Sequence, residues 1–264
     1  MNILITGGDG FVASNLYRHL KPLHTVTLIS RKDFVLTVSS EVNAFFENKF
    51  FDIVFHCAVV GGSRLKSDSY HEMDSNLKMY YNLHQLKNRY FKKFITFGSG
   101  AELYSSHTPY GLSKQVIAKS ITETENFYNL IIFALFNHSE WDTRFIKANI
   151  NRYLDKAPLV IHQDKFMDFF YMEDFMKVID YFIKNENCPK SVNFSYAQQY
   201  KLSDIANIIN NLSEDKVDIS FESQSMANSY CGDYNLDLLE IDFDGLETGI
   251  LKTYQEVKLS KFKQ

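Results

Sequence analysis

Cysteine is scarce: 264 residues hold only Cys57, Cys188 and Cys231, odd in number and without ligand spacing. Such a set offers no metal site and predicts a reducing compartment. Long apolar runs are missing too, and no stretch approaches bilayer-spanning length. The chain opens straight into a strand, without a basic leader region or a signal-length apolar run, which predicts a soluble, cytoplasmic protein. Excess positive charge is also lacking. A net charge of −4 argues against nucleic acid or an anionic membrane as the main partner. Any anionic ligand has to be caught by local cations and backbone amides. No internal repeat or low-complexity linker interrupts the chain.

What is present is ordinary globular material, 45% hydrophobic and 23% charged, long enough to bury a sizeable core. Short β-branched and aromatic runs predict strands over 2–6, 25–30, 52–57, 93–98 and 130–136. Helical patterns over 10–20, 41–48, 76–89 and 110–127 lie between them. The alternation predicts an α/β fold with a parallel sheet covered on both faces, because its strands are nearly continuous apolar runs. Beyond it come a strand–helix pair around 191–212, an acidic turn-rich stretch and a final helix over about 246–258. The 23 phenylalanines and 16 tyrosines are read as mostly core, not as a base-stacking platform.

After the first strand stand Gly7, Gly8, Asp9, Gly10, Phe11, Val12 and Ala13. Glycine permits a sharp turn and lets a phosphate approach the backbone. The following helix aims free N–H groups and its positive dipole end at the same spot. Gly7 and Gly10 have the spacing of a dinucleotide-binding turn, with Ala13 in place of a third glycine. The plain alternative is a tight βα turn. At the end of the second strand, where an acid would bind the ribose of NAD(H), the chain has Ser30, Arg31 and Lys32. Two cations and a hydroxyl suit a 2′-phosphate, which favours NADP(H) over NAD(H); a solvated pair of surface cations is the bland reading.

Tyr110 and Lys114, four apart in PYGLSK, share a helix face. An ammonium beside a phenol draws its pKa down toward neutrality and makes it a usable acid or base. With TGGDGFVAS, FDIVFHCAVVGG, MDSNLKMYYNL, FGSGAELY and FMDFFYMEDF, the chain resembles the extended short-chain dehydrogenase/reductases that act on nucleotide sugars. HCAVVGG and Lys156-Ala157-Pro158 resemble the GDP-L-fucose synthase and 4-keto sugar reductase branch. The resemblance implies a Rossmann α/β fold, a doubly wound parallel sheet with a small C-terminal substrate-binding part. It divides the chain into 1–140, with 164–200 returning, and a smaller part from 141–163 and 201–264. It implies Tyr110 as proton donor, Lys114 on the nicotinamide ribose, Ser99 polarising the carbonyl and Asn76 supporting at the start of its helix. Cys57 and Ala58 join Gly7, Gly10, Phe11, Val12 and Lys114 around the cofactor. A homodimer paired through helices such as 110–127 is a further implication.

Several positions depart from the family pattern. Gly98-Ser99-Gly100 leaves two registers for the catalytic hydroxyl, one giving Ser99 and the other Gly100; Ser99 is favoured. Ala101-Glu102 replaces the acid pair of the sugar-nucleotide dehydratases, which argues against dehydration. Glu102 also falls near a cysteine position of the epimerising members, where it is either a base or substrate contact or a solvated loop carboxylate. His138 matches their histidine. Met167 and the 230–233 region lack two diphosphate-binding arginines, so Arg152 is the leading substrate cation, with Arg144 and Lys165 behind it. The expected activity is NADPH-dependent reduction of a keto group, at C4, on a nucleotide-linked deoxy sugar. An epimerase or dehydrogenase with retained NAD(P), or a non-catalytic NAD(P)-binding protein, are the alternatives.

Overall fold

A computed structural model of the chain describes residues 1–63 and 66–261. Its first half runs β1 (Asn2–Thr6), α1 (Phe11–Leu20), β2 (Thr25–Ile29), α2 (Ser39–Phe46), β3 (Phe51–His56), α3 (Tyr70–His84), β4 (Phe91–Ser99), α4 (Ala101–Tyr104), α5 (Pro109–Thr122) and β5 (Phe127–Ile132). The remainder runs β6 (Leu135–Phe136), α6 (Phe145–Leu154), β7 (Leu159–Gln163), β8 (Phe170–Tyr171), α7 (Met172–Lys184), β9 (Ser191–Phe194), α8 (Leu202–Asn210), β10 (Ile219–Ser223) and α9 (Gly245–Lys261).

A six-stranded sheet in the order β2-β1-β3-β4-β5-β9 forms the centre, and β1–β2, β1–β3, β3–β4 and β4–β5 all pair in parallel. Ile3, Leu4, Ile5, Val54, Phe55, Phe94 and Ile95 are fully buried, as strands covered on both faces require. The largest fully buried side chains are phenylalanines and Tyr80, so much of the aromatic load is core, while Phe50, Tyr70 and Trp141 are exposed. This is the doubly wound Rossmann-like arrangement expected. Because β2 flanks β1 on one side and β3 on the other, the strand order reverses at β1. In such sheets the carboxyl ends of the strands on either side of the reversal open onto the ligand crevice.

Three expected elements shift. α3 opens at Tyr70, six residues before Asn76, because Ser69 caps it: Ser69 Oγ accepts from His71 N at 3.2 Å and Ser69 N donates to Glu72 Oε2 at 2.8 Å. The helix expected over 110–127 stops at Thr122, and Asn126, at φ 59°, turns the chain into β5. The strand expected over 130–136 is two: β5 stays in the main sheet, while β6 pairs with β8.

The packing divides the chain into Met1–Ile132 with Asn185–Val192, and Phe133–Lys184 with Asn193–Gln264. This groups α7 with the second unit, where the sequence reading over 164–200 groups it with the first. In the second unit α6, α8 and α9 pack Ile146, Ile150, Ile205, Ile209 and Ile250 around β7. A buried carboxylate ties α7 to α9: Asp174, 0% exposed, accepts from Tyr196 Oη at 2.7 Å and from the Asp244 and Gly245 amides at 2.8 and 2.9 Å. Its charge is met by Lys177 Nζ at 2.9 Å.

Gly111, at the start of α5, sets how closely that helix approaches the loop before it. A Cβ there would stand 2.0 Å from Ser105 O. Gly111→Ala should therefore destabilise the protein by about 1–3 kcal/mol, the usual cost of overpacking. A chemical denaturation midpoint equal to the wild type's would show that the contact relaxes freely.

Candidate active site

Gly7 has φ +74°, and a Cβ on it would lie 2.7 Å from Ala58 N and 2.9 Å from Cys57 C. Only glycine lets the end of β1 come this close to the end of β3. Thr6 Oγ1 fastens the approach, accepting from Ala58 N at 3.1 Å and meeting His56 Nδ1 at 3.0 Å. Burial, helped by the Lys114 charge, pushes His56 down to about 3, so that its ring is neutral. Gly10 N donates to Gly7 O at 2.8 Å and Gly10 then stands at the N-cap of α1 with no side chain to offer. A Cβ at Gly10 would come within 3.1 Å of Gly7 O. The first intrahelical bond is Ser14 N to Gly10 O, at 3.0 Å. Amides at the first helical positions, Phe11 and Val12, therefore have no acceptor inside the helix. A cradle that side chains would fill, under an uncapped helix N-terminus, fits the pyrophosphate of a dinucleotide.

After β2 the Asp33 carboxylate is engaged by the turn's own backbone. Asp33 Oδ2 accepts from Ser30 N at 2.7 Å, and Ser30 Oγ accepts from Lys32 N at 3.2 Å. Arg31 and Lys32 are left exposed.

The carboxyl end of β4 holds the expected catalytic group. Thr108 caps α5, its Oγ1 accepting from Gly111 N at 3.1 Å, with Pro109 in the first turn. This orients Tyr110 and Lys114 toward the strand. Lys114 Nζ donates to Phe97 O at 2.6 Å and lies 5.8 Å from the centre of the Tyr110 ring. The Ser99 hydroxyl bonds that of Tyr110, and Ser99 Oγ also accepts from Ala101 N at 3.2 Å. Of the two registers, then, it is Ser99 that meets the tyrosine, while Gly100 caps α4. Asn76 Oδ1 accepts from Val60 N at 2.8 Å, and its Nδ2 donates to Val60 O at 2.9 Å and to Ser113 Oγ at 3.3 Å. That ties the segment after β3 to α5. The same segment carries Gly62, at φ +72°, so close over Tyr110 that a Cβ would lie 2.7 Å from Cζ.

Two sequence-based expectations are overturned here. Tyr110 is expected to titrate low beside Lys114, yet its pKa is raised: burial is the main cause, the Ser99 bond works against it, and the Glu102 and Asp68 charges add to it. Lys114 is itself pushed down to about 8 by burial, with Glu102 opposing. Nor is Glu102 a solvated loop carboxylate. It is 5% exposed, accepts from Asn129 Nδ2 at 3.0 Å and from Ser99 N at 3.4 Å, and burial pushes it up to about 7. Nothing local in the sequence marks that burial, which depends on Asn129 in β5.

In the second unit His138 forms an ion pair with Glu256 of α9. Arg144 Nε donates to the buried Glu140 at 3.1 Å, and Lys165 lies over the Tyr230 ring at 5.5 Å. Arg152, in the last turn of α6, is exposed, and among the described residues no ion pair engages it. Asp168 of FMDFF is buried and accepts from Gly232 N at 2.7 Å, with the Cys231 thiol as a second partner; burial pushes it up to about 6. Sequence reasoning passed over this link. Its signal was an acid in an aromatic run, which has no local partner. Among the described residues, no helix is long and apolar enough to cross a membrane.

No curated protein matches the chain. Solved structures do. A GDP-mannoheptose C4 reductase from Campylobacter jejuni, with NADP bound, is 17% identical, with 97% of this chain and 98% of that one covered, at a TM-score of 0.80. A UDP-N-acetylglucosamine 4-epimerase from Methanobrevibacter ruminantium is 20% identical over 98% of each chain, also at 0.80. A GDP-L-fucose synthetase from Naegleria fowleri, bound to NADP, is 16% identical over 100% of this chain and 94% of that one, at 0.77. At these identities the likeness is one of fold. The model of the NAD dependent epimerase/dehydratase family matches residues 3–195, which take in the glycine turn and the Tyr110–Lys114 pair alike. The chain belongs to that family.

Proposed function

We propose that this protein reduces a keto group, at C4, of a nucleotide-linked deoxy sugar at the expense of NADPH. The observation that carries the reading is the state of Tyr110. Its hydroxyl is bonded to that of Ser99 and its pKa is raised by burial, so that it holds its proton at neutral pH. A phenol kept protonated is suited to giving a proton to a carbonyl oxygen as negative charge develops there. Ser99 Oγ shares that proton's hydrogen bond and directs it, while the Lys114 ammonium faces the tyrosinate left behind. Fixed groups of this kind, aimed where charge develops, do most of the work in carbonyl addition. Ala101 leaves position 101 without the acid that elimination of water needs.

When bound, the nicotinamide supplies the hydride. Gly7, Gly10, Phe11 and Val12 would hold the pyrophosphate, with Cys57 and Ala58 alongside and Lys114 on the ribose. Ser30, Arg31 and Lys32 would hold a 2′-phosphate. The bond from Ser30 N to Asp33 supports NADP(H) over NAD(H), since it occupies the Asp33 carboxylate within the turn and leaves Arg31 and Lys32 exposed. Arg152, uncommitted, is the proposed contact for the sugar diphosphate.

Arg31→Ala and Lys32→Ala should each weaken NADPH binding by about 10-fold or more, as expected for a charge-assisted contact, and leave NADH binding unchanged. Calorimetric titration reads both, and equal losses for the two cofactors would defeat the assignment. The activity itself is tested by NADPH consumption with GDP-, dTDP-, UDP- and CDP-linked 4-keto-6-deoxy sugars. One nucleotide series should be turned over, and Tyr110→Phe should lower that rate by about 10²–10⁴-fold. The rate should fall as pH rises through about 8, where Lys114 loses its charge. NADPH binding without consumption of any sugar in the panel would overturn the reductase and point to an epimerase that retains its cofactor.

A further inference from the structure

Glu102 has no role in the chemistry above, yet it is held with care. Among the described residues its side-chain partners are neutral: Oε1 accepts from Asn129 Nδ2 at 3.0 Å and Oε2 from Ser99 N at 3.4 Å. Gly98 lies against both groups. A Cβ on it would stand 2.8 Å from Glu102 Oε2 and 2.7 Å from Asn129 Oδ1, so β4 carries no side chain at that point. The carbonyl of the preceding residue, Phe97, holds Lys114 Nζ at 2.6 Å. Carboxylate and ammonium thus grip the same strand at positions 99 and 97, without an ion pair between them.

Each nevertheless acts on the other. Burial opposes both charges, bringing Glu102 up to about 7 and Lys114 down to about 8, while the Lys114 charge lowers Glu102 and the Glu102 charge raises Lys114. The other groups facing this pair are Tyr110 and Lys119 from α5, Lys190 ahead of β9, and Cys57 and the neutral His56 from the end of β3. Lys190 Nζ is committed to the carbonyls of Thr124 and Phe127. Glu102 also has its own way out. With Gln115, Lys119, Thr122, Asn129 and Lys190 it lines a cleft of about 240 Å³, and neither Tyr110 nor Lys114 lines it.

We propose that Glu102 is a positioning residue for the catalytic pair: its carboxylate keeps Lys114 charged inside the protein, and it exchanges its own proton with water through this cleft. The part it plays in turnover rests on the reductase reading; its coupling to Lys114 does not. The sign follows from the charges. With glutamine at 102 the support is gone, Lys114 deprotonates at lower pH, and the alkaline fall in rate moves down with it.

The test is a carboxyl-carbon NMR titration of the full chain with ¹³C-labelled glutamate, the Glu102 resonance being the one missing from Glu102→Gln. Its midpoint should lie near 7 and rise by about one pH unit in Lys114→Met, the effect of removing a nearby opposite charge. A midpoint near the ordinary ~4.3, or one that Lys114→Met leaves in place, would overturn the proposal. Should Lys114→Met fail to fold, the wild-type midpoint decides alone. These readouts need no substrate, so they stand even if the reductase assignment fails. With a substrate in hand, Glu102→Gln should move the alkaline limb to lower pH. A rate scaled down at every pH, with the limb unmoved, would mark Glu102 as merely structural and also defeat the proposal.

Discussion

Three consecutive residues of β4 carry the demands of the whole candidate centre. Phe97 offers its carbonyl to Lys114, Gly98 leaves room for Glu102 and Asn129, and Ser99 presents its hydroxyl to Tyr110 and its amide to Glu102. A strand end so crowded works only if neighbouring elements come close without side chains in the way. That is why Gly98 and Gly111 are glycines although neither has a positive φ. The cost falls on the charges. Brought out of water, the ammonium titrates lower and the carboxyl higher than in solution, so both change charge near neutrality.

The same economy of side chains governs the ends of β1 and β3. Gly7 approaches the Ala58 backbone, and Thr6 supplies the oxygen that satisfies the Ala58 amide. His56 is drawn into this contact and held neutral, partly by the Lys114 charge. His56 thus bonds Thr6 beside the glycine turn and also feels the Lys114 charge.

In the second unit two buried aspartates answer a different need. Asp168 accepts from the Gly232 amide, and Asp174 from the Asp244 and Gly245 amides, so that each fixes a loop backbone to a buried side chain. Arginines expected from the family resemblance are absent beside Asp168. Arg144 and Lys165 are already engaged with Glu140 and Tyr230, which leaves Arg152 as the open cation among those considered.

The sequence alone determined what depends on neighbours along the chain. The glycine turn was legible because a φ of +74° and a side-chain-free approach leave a mark in residue type. Strands buried on both faces, and a tyrosine and lysine one helical turn apart, were legible from periodicity. Even the early start of α3 had a local signature, in Ser69 and Glu72. Tertiary structure alone decided which groups lie in water. Glu102 reads as a loop carboxylate until Asn129, 27 residues on, is placed against it. His138 reads as a match to the epimerising members' histidine, and only the fold shows that α9 brings Glu256 to it. The direction of the Tyr110 shift belongs to the same class, because burial sets it, and burial comes from the packing around the ring. Desolvation and charge coupling act through space, and a linear order of residues does not contain those distances.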